Sequence, residues 1–415
     1  MRVVRKLTAR ILVTVIGLAV LAAATLALPI EAWRTGWGDV EQLSLASPGA
    51  HVVDGRRVWV DTDAACGAGR MTDPDDCLAL LALLKAQDVE VIGVSTVFGN
   101  APLEVTDRTT RELISQLAAE RFRVPPVHRG LASAARADGD PTPAEQAIRD
   151  ALADGPMVIV ALGPLTNIAA ALRGRTALLP QVQRLIAVMG QRRGHVFHPV
   201  EGGTAGMLLA HGPVFQDFNF AKDQRAAAEL VGLELPMTLI PYEAASAFAL
   251  TEADLDAMDR AGEAARWAAQ RSRAWLGFWR EDISQPGFFP FDLIAAAYLL
   301  HPELFRCAEV SPSIEPHSWF LRWRLGGSGL FVDQSPENGE HVPLHRIVYC
   351  PSPSAGLHDA ILTNLTSGRD KLSRRAASEA ARAPEPAAPR CSPWMPAGSS
   401  PPPEWRHPGR SHRSG

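Results

Sequence analysis

Between Val58 and Leu84 the chain reads VWVDTDAACGAGRMTDPDDCLALLALL, and its aspartates Asp61, Asp63, Asp75 and Asp76 are the residues best placed to do chemistry. The β-branched run at 58–60 predicts a strand that ends in Asp61 and Asp63. The Leu-rich stretch that Asp75 and Asp76 open has helical spacing. In open α/β sheets ligands bind in the crevice beyond the carboxyl ends of the strands, so a strand, a loop and a helix here gather carboxylates where a ligand would sit. That much negative charge in one crevice is unfavourable unless a cation or a proton neutralises it. Oxygen donors suit hard cations such as Ca²⁺ and Mg²⁺. Capping of one helix by Asp75 and Asp76 is the plainer alternative; it leaves Asp61 and Asp63 without a role.

The elements that must position these groups alternate as in doubly wound folds. Strands are predicted at 89–97, 157–162, 185–189 and 237–240, and a helix over 104–119. The first of these strands ends in Phe98-Gly-Asn100, the second in Gly163-Pro-Leu-Thr-Asn167, so polar and Gly-rich turns collect at one sheet edge. Crossovers of this kind are right-handed and place helices on both faces of a mostly parallel sheet. Helices dominate 251–300, where Trp267, Trp275, Phe278 and Trp279 share one face. Such a stripe serves as core packing, or sets one ring against a planar ligand. Phe291 and Asp292 then open an apolar helix, and Trp319 to Val332 reads as a β-hairpin turning at 326–329.

Flanking this domain, expected over 55–367, are two segments of different character. The first, 1–35, carries Arg2, Arg5, Lys6 and Arg10 before an uncharged apolar run from Ile11 to Ile30. Its length and basic flank predict a membrane anchor that leaves the domain outside the cytoplasm. Secretion after cleavage of a signal segment is the alternative. The last, 368–415, is rich in Ala, Pro, Arg and Ser without apolar periodicity and reads as a disordered tail. The net charge of −4 over 415 residues suggests no nucleic-acid partner. Five cysteines show no metal-ligand spacing; Cys66 and Cys77 bracket the acidic loop, either bridged across it or as two buried thiols.

Taken in order, Asp61-Thr-Asp63, Asp75-Asp76 before a Leu-rich helix, Thr96-Val-Phe-Gly-Asn100, Ala161-Leu-Gly-Pro-Leu-Thr-Asn167, Val188-Met-Gly190 and Asp217-Phe-Asn219 form a constellation. It resembles the inosine-uridine-preferring nucleoside hydrolases, over roughly 57–304. The resemblance implies hydrolysis of the N-glycosidic bond of a small-molecule ribonucleoside, a Ca²⁺ ion on the ribose diol, and a homo-oligomer. It implies Asp63 as a metal ligand and activator of the attacking water. Asp76, Asp292 and the Leu162 carbonyl become further ligands; Asp75, Asn100, Asp217 and Asn219 become sugar contacts. Carboxylate-activated water attacking an oxocarbenium-like sugar is chemistry these residue types can do.

This chain departs from the pattern twice. Eleven residues, Ala64 to Pro74, separate Asp63 from Asp75 where the family has a short Pro-Gly-x spacer. Phe291 precedes Asp292 where purine-accepting members have a histidine that protonates the departing base. His195, His198 or His211 could then supply the acid. Two other functions stay open: a non-catalytic Ca²⁺ and ribose binder that has lost leaving-group activation, and a metal-dependent phosphoryl-transfer enzyme built on Asp-x-Asp. No phosphate-cradling loop supports the latter.

Overall fold

A computed structural model describes residues 12–20, 42–51, 57–134, 140–195, 216–317, 327–334 and 346–368. Strands β1 (Arg57–Thr62), β2 (Glu90–Thr96), β3 (Val127–Arg129), β4 (Met157–Ala161), β5 (Val182–Ala187), β6 (Gln191–Arg192) and β7 (Met237–Leu239) come first. The short β8 (Leu250–Thr251) and β9 (Gly287–Phe288) pair with each other as a separate ribbon. Strands β10 (Phe305–Pro316), β11 (Ser328–Asp333) and β12 (Ile347–Pro353) complete a ten-stranded sheet of order β3-β2-β1-β4-β5-β7-β12-β10-β11-β6. From β3 through β12 every pairing is parallel; β10 runs antiparallel to both β12 and β11.

The order decides where a ligand can bind. The chain steps outward from β1 to β2 and β3, then returns to place β4 on the other side of β1. Loops leaving β1 and β4 therefore diverge to opposite faces, and the crevice they leave lies at the strands' carboxyl ends. Along β1 successive side chains point to opposite faces. Val58 and Val60 join one core and Trp59 the other. The first core is built with helices α1 (Asp75–Lys85) and α2 (Leu103–Ala119). On the opposite face lie α3 (Pro143–Asp154) and α4 (Thr166–Leu172). The short α5 (Phe218–Lys222) and α6 (Gln224–Val231) follow on that face, and α7 (Tyr242–Ala245) leads back to the first. There α8 (Glu252–Asp259), α9 (Glu263–Glu281), α10 (Phe291–Leu300) and α11 (Leu357–Thr366) complete the layer. Helix α1 is buried along its whole length, which its uninterrupted Leu and Ala composition permits.

The predicted elements of the α/β core fall within a few residues of those observed, but two expectations need correcting. The hairpin predicted over 319–332 has its first arm earlier: β10 pairs with β11 from Ser311 to Pro316, and Ser328 already belongs to the second arm. Residues 318–326 lie outside the described residues, as do 369–415, where a disordered tail was expected. The membrane anchor is also overturned. Among the described residues no helix is long and apolar enough to cross a membrane. Residues 12–20 are helical. The rest of the apolar run lies outside the described residues. The localisation that depended on the anchor, a domain tethered outside the cytoplasm, falls with it.

Candidate active site

Asp63 follows the end of β1, Asp76 sits in the first turn of α1, and Asp292 sits in the first turn of α10. They are separated by up to 229 positions, yet one carboxylate oxygen from each lies within 4.8 Å of the other two. All three are buried. The convergence has a local cause in each case. Thr62 Oγ1 donates to Asp76 Oδ1 at 2.5 Å and the Asp63 N–H donates to the same oxygen at 3.1 Å, tying α1 to the end of β1. Asp75 accepts the Asp76 N–H at 3.1 Å and the Asp292 N–H at 2.7 Å, so one carboxylate links the starts of α1 and α10. Helix N-termini carry partial positive charge and unsatisfied N–H groups, which suits carboxylates there. The Asn100 N–H donates to Asp63 Oδ2 at 2.7 Å. Gly99 allows that approach, since a Cβ on it would fall 1.9 Å from Asp63 Oδ2.

These bonds do not neutralise the cluster. Burial, then the charge of Asp76, holds Asp63 well above the usual carboxylate range. Burial and the charges of Asp75 and Asp76 do the same to Asp292. Burial first, then repulsion by Asp76, pushes Asp75 up to about 6. Among the described residues no Lys, Arg or His lines the cavity above them. Asp76 Oδ2 is buried and receives no hydrogen-bond donor. An all-oxygen donor set, a lone pair without a donor, and uncompensated negative charge fit a hard divalent cation.

The other expected residues fall into place unevenly. Asn100 and Asn219 line the cavity. Each spends its Nδ2 on main-chain carbonyls: Asn100 on Asp73 at 2.8 Å, Asn219 on Leu162 at 2.5 Å and Val188 at 3.2 Å. The Leu162 carbonyl is thus engaged by Asn219, and Leu162 itself is not among the residues that line the cavity. Asp217 caps α5 and accepts the Gly190 N–H at 2.7 Å. Burial pushes its carboxyl up to about 7, against these backbone donors. Asp61 is corrected: it does not line the cavity. Asn167 Nδ2 donates to it at 2.8 Å and Ser95 Oγ also donates. Of the candidate acids, His195 stacks on Tyr242 at 5.6 Å and sits 3.8 Å from the Glu243 carboxylate, and it does not line the cavity. His198 and His211 lie outside the described residues.

The cavity holds about 290 Å³, and its second wall is apolar: Met71, Trp275, Phe278 and Phe291, with Tyr242 and Phe218. The core-packing reading of the aromatic stripe holds. Trp267 and Trp279 are buried in the core, while Trp275 and Phe278, stacked at 5.1 Å, pack there and also face the cavity. Asp73, a further acid in the run before Asp75, lines the cavity and was missed; the density of aspartates at 73–76 was the available signal. Cys66 and Cys77 are bridged, the first of the two alternatives, and a second bridge joins Cys307 to Cys350 across β10 and β12. No spacing in the sequence pointed to the second, because only the pairing of the two strands brings its ends together.

Residues 58–322 match the profile of the inosine-uridine preferring nucleoside hydrolases. A non-specific ribonucleoside hydrolase, RihC, from Escherichia coli O6:H1 is 28% identical over 276 residues, covering 60% of this chain and 84% of the relative. RihC of Shigella boydii serotype 4 matches at 28% over 276 residues, with the same coverage of 60% and 84%. Among solved structures, a plant nucleoside hydrolase, PpNRh1, superposes with a TM-score of 0.60 at 18% identity, over 75% of this chain and 99% of its own. A purine-preferring ribonucleoside hydrolase from Gardnerella vaginalis does so with a TM-score of 0.57 at 17% identity, over 77% and 99%.

Proposed function

The chain belongs to the inosine-uridine preferring nucleoside hydrolases, and from that premise we propose that it cleaves neutral ribonucleosides to free base and ribose with Ca²⁺ bound at Asp63, Asp76 and Asp292. The observation that carries the proposal is the convergence of those three carboxylates at the floor of a cavity whose other wall is aromatic. A polyhydroxylated sugar suits the floor and a planar base suits the wall. A 5′-phosphate suits neither, because the lining holds several carboxylates and, among the described residues, no cationic side chain.

In this reading the cation supplies charge neutralisation for the carboxylates and Lewis acidity toward oxygen. Asp63 takes the proton of the attacking water, its carboxylate aimed by the Asn100 N–H. Asp75, clamped by the N–H groups of Asp76 and Asp292, is preorganised to accept a ribose hydroxyl. The Nδ2 atoms of Asn100 and Asn219 are committed to carbonyls, so each amide presents Oδ1 as acceptor to the sugar. Leu162 contributes its carbonyl to the metal side, and Asp217 meets the far end of the ribose. Phe291 has no proton to give. His195 is engaged with Tyr242 and Glu243, so purine release is expected to be slow unless another acid substitutes for the histidine that Phe291 replaces.

The binding-only reading is set aside, because the family is one of hydrolases. The test is incubation of the full chain with inosine, uridine, cytidine and the matching 5′-monophosphates, before and after chelation, with free base followed by chromatography. Base should appear from nucleosides only, stop on chelation and return with Ca²⁺. Metal-loaded protein that releases base from no nucleoside refutes the proposal.

A further inference from the structure

We infer that the long loop at 64–74 is the element that grips the leaving base, with Met71 as its contact; the inference rests on the nucleoside hydrolase reading above. Three observations carry it. The first is exposure: Met71 is 68% exposed, so its side chain serves no core, yet it lines the cavity together with Trp275 and Phe278. The second is anchorage. The Cys66–Cys77 bridge ties the loop to the first turns of α1, and Arg70 pairs at 2.6 Å with both Glu281 and Asp282 at the end of α9. Gly67, at φ +76°, lies so close to Arg271 that a Cβ would meet its Cγ at 2.7 Å. The third is position. Asp73, two residues beyond Met71, holds the Asn100 amide through its carbonyl, so the loop runs from the carboxylate floor to the aromatic wall.

Each feature points to a base contact over other roles. Arg70 is neutralised by two carboxylates, which makes it a positioning residue for the loop and not an anion site. A thioether is polarisable and favours contact with aromatic rings, but reads no hydrogen-bonding edge. Met71 therefore adds affinity in proportion to the aromatic area it covers, and a two-ring base gains more than a one-ring base.

The test uses Ca²⁺-loaded full-length protein and steady-state kinetics on inosine and uridine. Met71→Ala should raise KM for inosine by about 3- to 10-fold, and for uridine by less, with kcat within about twofold. Arg70→Ala should raise KM in the same direction and Arg70→Lys should recover part of it. The double variant should be no worse than Met71→Ala alone, since both act through one contact. A KM for inosine that is unchanged, or that rises no more than uridine's, overturns the inference; so do additive effects. If the wild-type protein cleaves neither nucleoside, the hydrolase reading fails by itself. Tryptophan-fluorescence titration with inosine and with free ribose then decides the loop's role. Weaker inosine binding by Met71→Ala with ribose unchanged upholds it, and equal inosine binding sinks it.

Discussion

Stripping the cation from the carboxylate cluster should leave a protein that gains stability as the solution is acidified from pH 7 to pH 5. Asp75 shows why. Its carboxyl moves from 3.8 to about 6 in the fold, through burial and repulsion by Asp76. A carboxyl raised in this way binds its proton more tightly folded than unfolded. Its contribution to stability is thus complete below the unfolded value and is lost as pH rises through about 6. The shift of about 2 units is worth on the order of 3 kcal/mol, at about 1.36 kcal/mol per unit. Roughly 1.4 kcal/mol of that is recovered between pH 7 and pH 5, or about 2 °C in Tm for a domain of roughly 300 residues. Asp63, Asp73, Asp76 and Asp292 are displaced in the same direction and add to the trend. With Ca²⁺ bound the trend should flatten or reverse, because protons and the cation compete for the same oxygens. The assay is a set of thermal melts at pH 5, 6 and 7, chelated and Ca²⁺-loaded. A chelated protein that melts no higher at pH 5 than at pH 7 refutes the electrostatic argument. A chelator without effect on protein shown to be metal-loaded refutes the site.

Other perturbations separate the roles of individual residues. Asp76→Asn should abolish the Ca²⁺-induced rise in Tm while the metal-free melt at pH 7 holds or improves, since a repelling charge is removed. Phe291→His should raise kcat on inosine, by up to about 10² if the new imidazole protonates the base; a riboside with an activated leaving group such as p-nitrophenolate, which needs no acid, should gain little. Replacing Cys66 and Cys77 by serine should lower unfolding stability by about 2–4 kcal/mol in urea titration. Gly99→Ala, which drives a methyl into the Asp63 carboxylate, should cut kcat sharply, and unchanged kcat would mean that Asp63 is not where the chemistry occurs.

The divide between what residue order decides and what folding decides runs through the site itself. Asp63, Asp75 and Asp76 were legible because they lie beside local patterns, an apolar strand and a Leu-rich helix, whose periodicities are short-range. The parallel α/β core followed from the alternation of such patterns, and with it the edge at which a ligand binds. Pattern failed where it meets no packing constraint. The apolar run at 11–30 has the composition of a span, yet among the described residues no helix is long and apolar enough to cross a membrane. Asp61 shares its strand parity with Asp63, but β1 ends at Thr62, so only Asp61 keeps the strand's direction, into the network of Ser95 and Asn167. Asp292 enters only because α10 starts against α1, where Asp75 accepts its N–H. Met71 lines the cavity on a loop that the Cys66–Cys77 bridge and the pairing of Arg70 with Glu281 and Asp282 hold in place. Residue types and their local spacing thus determined which chemistry this chain could do. Contacts between segments hundreds of residues apart, invisible to any local period, decided which carboxylates converge and which side chains line the cavity.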